Sequence, residues 1–213
     1  MNEKTPKSVG REIFEWAYCI VFAVIIAFLI KGFLFDVVRV DGQSMFPTLE
    51  HNDRLIVTKL GYEPKQGDIV ILDANYRGRE GYFAALANAQ GKDKLSFFSE
   101  LKESFILPNE YKKLYYVKRI IATEGQTVDI KNGKVYVDGK MFDEPYFDGE
   151  TYPTDSAVVY PFTVSEDCVF VMGDNRSNSK DSRASELGEV MEEALLGKAQ
   201  FRFFPFDAIG KMK

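Results

Sequence analysis

Histidine is almost absent from this chain of 213 residues. The single one, His51, sits in the polar turn His51-Asn52-Asp53 and reads as a solvated turn residue. With no second imidazole available, a general base would have to be some other side chain. Cysteine is nearly as scarce. Cys19 falls inside an apolar run and Cys168 lies far away in a different context, so neither a disulfide framework nor zinc-ligand spacing exists. A basic stripe is also missing. The formal net charge of -5 argues against a nucleic-acid surface, because nothing is arranged to neutralise phosphates. No internal repeat or low-complexity segment appears. A chain that is 46% hydrophobic and 28% charged can bury the core of one domain, with room for a subdomain.

What the chain does have is one long apolar run. From Trp16 to Ile30 no charge interrupts it, and after Lys31 it resumes as Gly32 to Phe35. A bilayer-spanning helix needs about 20 mainly apolar residues. The stretch 16–35 reaches that length if Lys31 snorkels toward the headgroups. Trp16 and Tyr18 suit an interface, and Lys4, Lys7 and Arg11 favour a cytoplasmic N-terminus. A cleavable leader is the rival reading, but no small-residue cleavage site follows before the strand at Val37. A buried core helix is the other, but apolar residues on every face fit lipid better. The expected organisation is therefore a cytoplasmic N-terminus at 1–15, a transmembrane anchor at 16–35 and an extracytoplasmic domain at 36–213.

Beyond the anchor the pattern is that of strands and tight turns. Apolar runs at Val37–Val40, Asp53–Leu60, Asp68–Leu72, Tyr115–Thr123, Cys168–Met172 and Gly197–Phe204 read as strands. Asn132-Gly133 and Asp138-Gly139 are preferred fillings of two-residue hairpin turns, which need positive φ at both positions. These signals predict an all-β domain of antiparallel strands on a stalk. The stretch at about 74–113 breaks the pattern. Leu95, Phe98, Leu101 and Phe105 recur at helical spacing and Pro108 ends the run, which predicts a small helical cap packed on the sheet. A second reading has its aromatics brush a membrane surface.

Three places carry unusual polar residues. Ser44 follows a strand, beside Gly42 and before Pro47, where a strand must stop and a hydroxyl can be presented outward. Lys118 lies within a strand, a place usually taken by an outward-facing lysine. The loop from Gly173 to Arg183 is dense in Asp, Asn, Ser and Arg, as a solvated turn would be. In this order, with Gly42 to Leu49, Gly67 to Val70, Tyr116 to Ile121 and Gly197 to Ala199, the chain resembles the type I signal peptidases, the serine–lysine leader peptidases.

That resemblance implies a signal-peptidase-like β-domain with Ser44 as nucleophile and Lys118 as general base. A free lysine has a pKa of about 10.4, but burial can lower it by up to ~3–5. A neutralised amine can then take the serine proton. Ser179 would aim the amine, Asp181 and Arg183 would be the ion pair that fixes the loop, and Asp174 a further support. Gly42 stands where some members carry a hydroxyl donor for the oxyanion, which leaves the backbone N–H of Ser44 for that task. Substrate would bind as an added strand, with small residues before the cut held by Val38, Val40, Met45, Tyr116 and Val117. The implied substrates are preproteins bearing signal peptides. The implied setting is the bacterial cytoplasmic membrane, crossed once, with the secretion translocon as a further candidate partner. No metal or cofactor is called for. The alternatives are a specialised peptidase for pilin or conjugation subunits and a catalytically silent, membrane-tethered peptide-binding β-domain.

Overall fold

Isoleucine, valine, phenylalanine and alanine without an interior proline carry the first segment into a helix, α1 (Val9–Leu29), in a computed structural model that describes residues 9–29 and 34–212. Its large apolar side chains, from Phe14 through Trp16 and Phe22 to Ile26, are exposed. The helix begins well before Trp16 and so takes in Arg11, Glu12 and Glu15. Residues 30–33 of the expected 16–35 span lie outside the described residues. Among the described residues no helix is long and apolar enough to cross a membrane.

The rest of the chain forms mainly antiparallel β-structure. Twelve strands follow: β1 (Phe35–Arg39), β2 (Arg54–Thr58), β3 (Ile69–Asp73), β4 (Tyr115–Thr123), β5 (Thr127–Lys131), β6 (Lys134–Val137), β7 (Lys140–Met141), β8 (Phe162–Thr163), β9 (Cys168–Met172), β10 (Val190–Met191), β11 (Leu195–Phe204) and β12 (Gly210–Lys211). The larger sheet has the order β1-β2-β11-β3-β4-β9-β10, with β12 added beside β11. The smaller has the order β7-β6-β5-β8. The two hairpin turns expected in the smaller sheet are present, with φ of 50° and 74° at Asn132 and Gly133 and 51° and 75° at Asp138 and Gly139. β3 and β9 are buried at every position, as the continuous apolar runs require of strands paired on both edges.

Two features of this sheet position the site. Phe35 pairs with Thr58, Thr58 with Lys198, Lys198 with Val70 and Val70 with Lys118. Lys118 therefore shares a cross-strand row with the first residue of β1. In addition, β4 pairs with β9 only from Arg119 onward, so Tyr115 to Lys118 have β3 on one edge and no strand on the other among the described residues. β1 is itself an edge strand.

The insertion between β3 and β4 holds two helices, α2 (Tyr76–Ala89) and α3 (Phe97–Ile106). α2 is tied to the sheet by the buried Arg79–Asp73 pair, 2.5 Å apart, and to the turn Asn109–Tyr111 by Tyr82 stacked on Tyr111. The spacing at Phe98, Leu101 and Phe105 does mark a helix, but these residues do not pack on the sheet. Leu95, just before α3, is buried, whereas α3 itself has no buried residue.

Candidate active site

The segment after β1 makes a fold-back loop. Gly42 adopts φ +101°, a region that favours glycine. Asn52 N–H then bonds to Val40 O, which brings the loop back over the start of β2. Met45 and Leu49 plug its underside, 1% and 0% exposed, against Val40, Leu55, Val57 and Ile71. This packing holds Ser44 at the rim. Asn175 clasps the loop from the other side. Its backbone N–H donates to Ser44 O at 3.0 Å and its Nδ2 to Gln43 O at 3.1 Å. Asn175 lies inside the polar loop noted in the sequence, but nothing in its residue type marked it as the clasp.

Lys118 reaches this loop from β4. Its side chain is 3% exposed, and Nζ lies 2.8 Å from Ser44 Oγ and 3.0 Å from Val117 O, to which it donates. The Tyr116 ring lies 5.1 Å from Nζ. Burial pushes the amine down to about 8, against the opposing pull of the Asp181 and Asp174 carboxylates. Near neutral pH a useful fraction of such an amine is unprotonated, and at this distance it can accept the hydroxyl proton.

The loop from Gly173 to Arg183 is held by two buried ion pairs. Asp174 takes a two-pronged contact from Arg119, Nε to Oδ1 at 2.9 Å and Nη2 to Oδ2 at 2.7 Å, and also accepts from Thr48 Oγ1 at 2.5 Å. Arg119 thus bridges β4 to the loop, with its guanidinium over Tyr146. Asp181 receives Arg183 Nε and Nη2, both at 2.9 Å, and accepts from Gly173 N–H at 3.0 Å. A third pair, Arg176 with Glu144, was not legible in the sequence and ties the same loop to the segment before β8. Gly173 itself sits in a pinch: a Cβ there would lie 2.3 Å from Ser179 Oγ and 2.4 Å from Ser44 O.

Two expectations need correction. Ser179 Oγ is buried beside this junction but has no hydrogen-bond partner among the described residues, so the contact that would aim Lys118 is not formed. The amine's partners are Ser44 and its own strand instead. Val40 and Met45 do not line an open pocket, because the fold-back loop covers that face and turns both into the core. Val38, Tyr116 and Val117 remain half-buried. His51 is exposed in its turn, as expected, and its Nδ1 also accepts the Gly42 N–H at 3.3 Å and lies 3.2 Å from Asp41 Oδ1. A cavity of about 560 Å³ lined by Thr48, Arg119, Tyr146 and Arg202 lies elsewhere. Arg119 alternates with Lys118 along β4, so that cavity belongs to the strand's other face.

A serine hydroxyl in contact with a buried amine, set in an antiparallel β-domain, is a geometry that a serine endopeptidase can use. The family model described as "Signal peptidase, peptidase S26" matches residues 13–204. "Signal peptidase I T" of Bacillus subtilis (strain 168) is 35% identical over 221 residues, covering 100% of this chain and 96% of the relative. "Signal peptidase I S" of the same organism is 36% identical over 216 residues, covering 96% of each. A crystal structure of a signal peptidase I from Enterococcus faecalis V583 matches 65% of this chain and 98% of its own, at 20% identity and a TM-score of 0.39. The chain belongs to the signal peptidase family, peptidase S26. Its activity is that of a signal peptidase I, a serine endopeptidase that cleaves signal peptides from secreted preproteins.

Proposed function

We propose that Ser44 is the nucleophile and Lys118 the general base of this cleavage, and that the reaction takes place at a bilayer surface. The observation that carries the assignment is the 2.8 Å contact between a buried amine and the Ser44 hydroxyl. Unprotonated Lys118 takes the hydroxyl proton as Ser44 Oγ attacks the scissile carbonyl. The Ser44 N–H receives the developing oxyanion; Gly42 offers no side-chain donor, and its own N–H is engaged by His51. The ammonium then gives its proton to the leaving amine, and the mature chain departs. Water attacks the acyl-enzyme, again losing a proton to Lys118, which returns it to Ser44 Oγ as the signal peptide leaves as an acid that ionises to a carboxylate. Asp174, Asp181 and Arg183 hold the scaffold and transfer no proton, and the steps call for no metal or cofactor.

The preprotein would lie as an extended strand between the outer edge of β1 and the unpaired edge of β4 at Tyr115 to Lys118. Val38, Tyr116 and Val117 would then wall the positions before the cut, where only small side chains fit. The exposed apolar surface of α1 favours lipid around it. With 1–15 in the cytoplasm and 16–35 as anchor, residues 36–213 would lie outside the bacterial inner membrane, where the translocon delivers its clients. Tethering raises the effective concentration of enzyme at the membrane-held cleavage site.

The test is cleavage of a leader-bearing preprotein by the detergent-solubilised full chain. The expected result is a band shift with the native protein that is lost in both Ser44→Ala and Lys118→Met, each retaining its circular dichroism spectrum. Turnover by either folded variant rules the assignment out.

A further inference from the structure

The insertion between β3 and β4 faces the wrong way for a cap packed in water. On α3 the aromatic and aliphatic residues Phe97, Phe98, Leu101, Phe105 and Ile106 are exposed, Phe98 and Phe105 by 80% and 81%. The half-buried positions are polar: Ser99, Glu100 and Glu103. At 100° per residue Phe97, Phe98, Leu101 and Phe105 fall within one arc of the helix, and Glu103 lies opposite. The flanking residues Leu95 and Leu107 are buried, and Ser96 Oγ caps the helix by accepting the Ser99 N–H. The helix is therefore fixed at both ends with its polar side inward.

Its place in the topology suggests what meets that face. Four successive antiparallel pairings, β1–β2, β2–β11, β11–β3 and β3–β4, make β1 and β4 run in the same direction. The chain coming from α1 and the chain coming from α3 thus join the sheet at one end. Leu34, Phe35, Leu60, Leu114 and Tyr115 are exposed at that end. Lysines and acids are mixed around α3, with Lys92, Asp93 and Lys94 before it and Glu110, Lys112 and Lys113 after it. Attraction to anionic lipid is therefore a minor part of what the segment offers.

We propose that α3 is an interfacial helix lying in the plane of the bilayer, its phenylalanine face sunk at the headgroup–acyl boundary. The proposal rests on the reading of α1 as the membrane anchor. Its consequence is a second point of contact that sets the height of the site. Lys118 lies three residues along β4 from Tyr115, about 10 Å at the rise of a strand. Anchor and helix together would hold Ser44 at a fixed depth over the lipid, where the preprotein's cleavage site emerges.

The experiment uses the full chain with Cys19→Ser, so that buried Cys168 is the sole remaining native thiol. Phe98→Cys, Val24→Cys and Lys140→Cys are added singly and labelled with a nitrobenzoxadiazole fluorophore. Lys140 lies on the hairpin beyond the far end of β4 and reports water. Each protein is reconstituted in phosphatidylcholine vesicles and quenched either by lipid nitroxides or by aqueous iodide. The expected result is strong quenching at Phe98 by a nitroxide near the headgroups, with iodide quenching several-fold weaker than at Lys140. Equal iodide quenching at the two sites, with no effect of lipid nitroxide at Phe98, overturns the proposal. Shielding at Phe98 that arises only when preprotein is added assigns the face to substrate and overturns it equally. The Val24 label separates the two readings: deep lipid quenching there without lipid quenching at Phe98 refutes the α3 assignment alone, while none at Val24 refutes the anchor.

Discussion

Replacing Lys118 by methionine should abolish cleavage and also change how stability depends on pH. In the fold the amine is held at about 8 rather than 10.5. At about 1.4 kcal/mol for each pH unit, the fold disfavours the protonated amine by about 3 kcal/mol. Because the folded value lies below the unfolded one, this penalty is complete below about pH 8 and fades as pH rises toward 10.5. Methionine keeps most of the volume and carries no charge, so it escapes the penalty. It also loses the contacts to Ser44 Oγ and Val117 O, together about 1–3 kcal/mol, but that loss is the same at every pH. The informative quantity is the difference between native protein and variant. Urea unfolding of both in mild detergent, followed by circular dichroism near pH 7 and pH 10, should show the native protein gaining about 2–3 kcal/mol on the variant. Other groups titrating over that range are common to both and cancel. A difference that does not change with pH would mean that Lys118 keeps its ordinary pKa, and the reasoning about a buried base would be wrong.

Arg119→Met should leave Asp174 charged and buried without its guanidinium, at a cost of about 3–5 kcal/mol in unfolding free energy; a shift under 1 kcal/mol would show that the pair does not hold the loop. Gly173→Ala should force its methyl against Ser44 O and Ser179 Oγ, displace Ser44 and lower kcat by on the order of 100-fold. Native turnover in that variant would contradict the crowding at this junction. Ser179→Ala removes a buried hydroxyl that has no partner among the described residues, so unfolding should change by less than about 1 kcal/mol or become slightly harder. A clear destabilisation in denaturant titration would mean the hydroxyl is bonded after all.

The residues legible in the sequence are those whose backbone setting is unusual in itself. Asn132-Gly133 announces its hairpin because few other pairs tolerate two positive φ angles, and the run Cys168–Met172 can hardly be anything but an interior strand. Ser44 and Lys118 were recognisable by their order and company, and the sheet does bring them together. Side-chain direction was less accessible. Val40 and Met45 turn inward because of a loop whose path depends on distant contacts with Asn175 and Arg202. Ser179 stands next to the site, but whether its hydroxyl reaches the amine depends on side-chain packing that no spacing encodes. On α3 periodicity revealed the helix and not its orientation, since an apolar stripe looks the same whether it faces a core or lipid. α2 falls within the helical insertion expected at about 74–113 but was not marked by periodicity, because Gly78 and Gly81 weaken its pattern and its hold on the sheet is an ion pair rather than an apolar face.

The pH dependence of kcat/KM for a leader-bearing preprotein reads the free enzyme's base most directly. The rate should rise to a plateau above about pH 8 and fall close to tenfold for each pH unit below it, as protonation of Lys118 removes the acceptor for the Ser44 proton. A rate that stays level from neutral pH down to pH 5 would mean that some other group, or none, takes that proton.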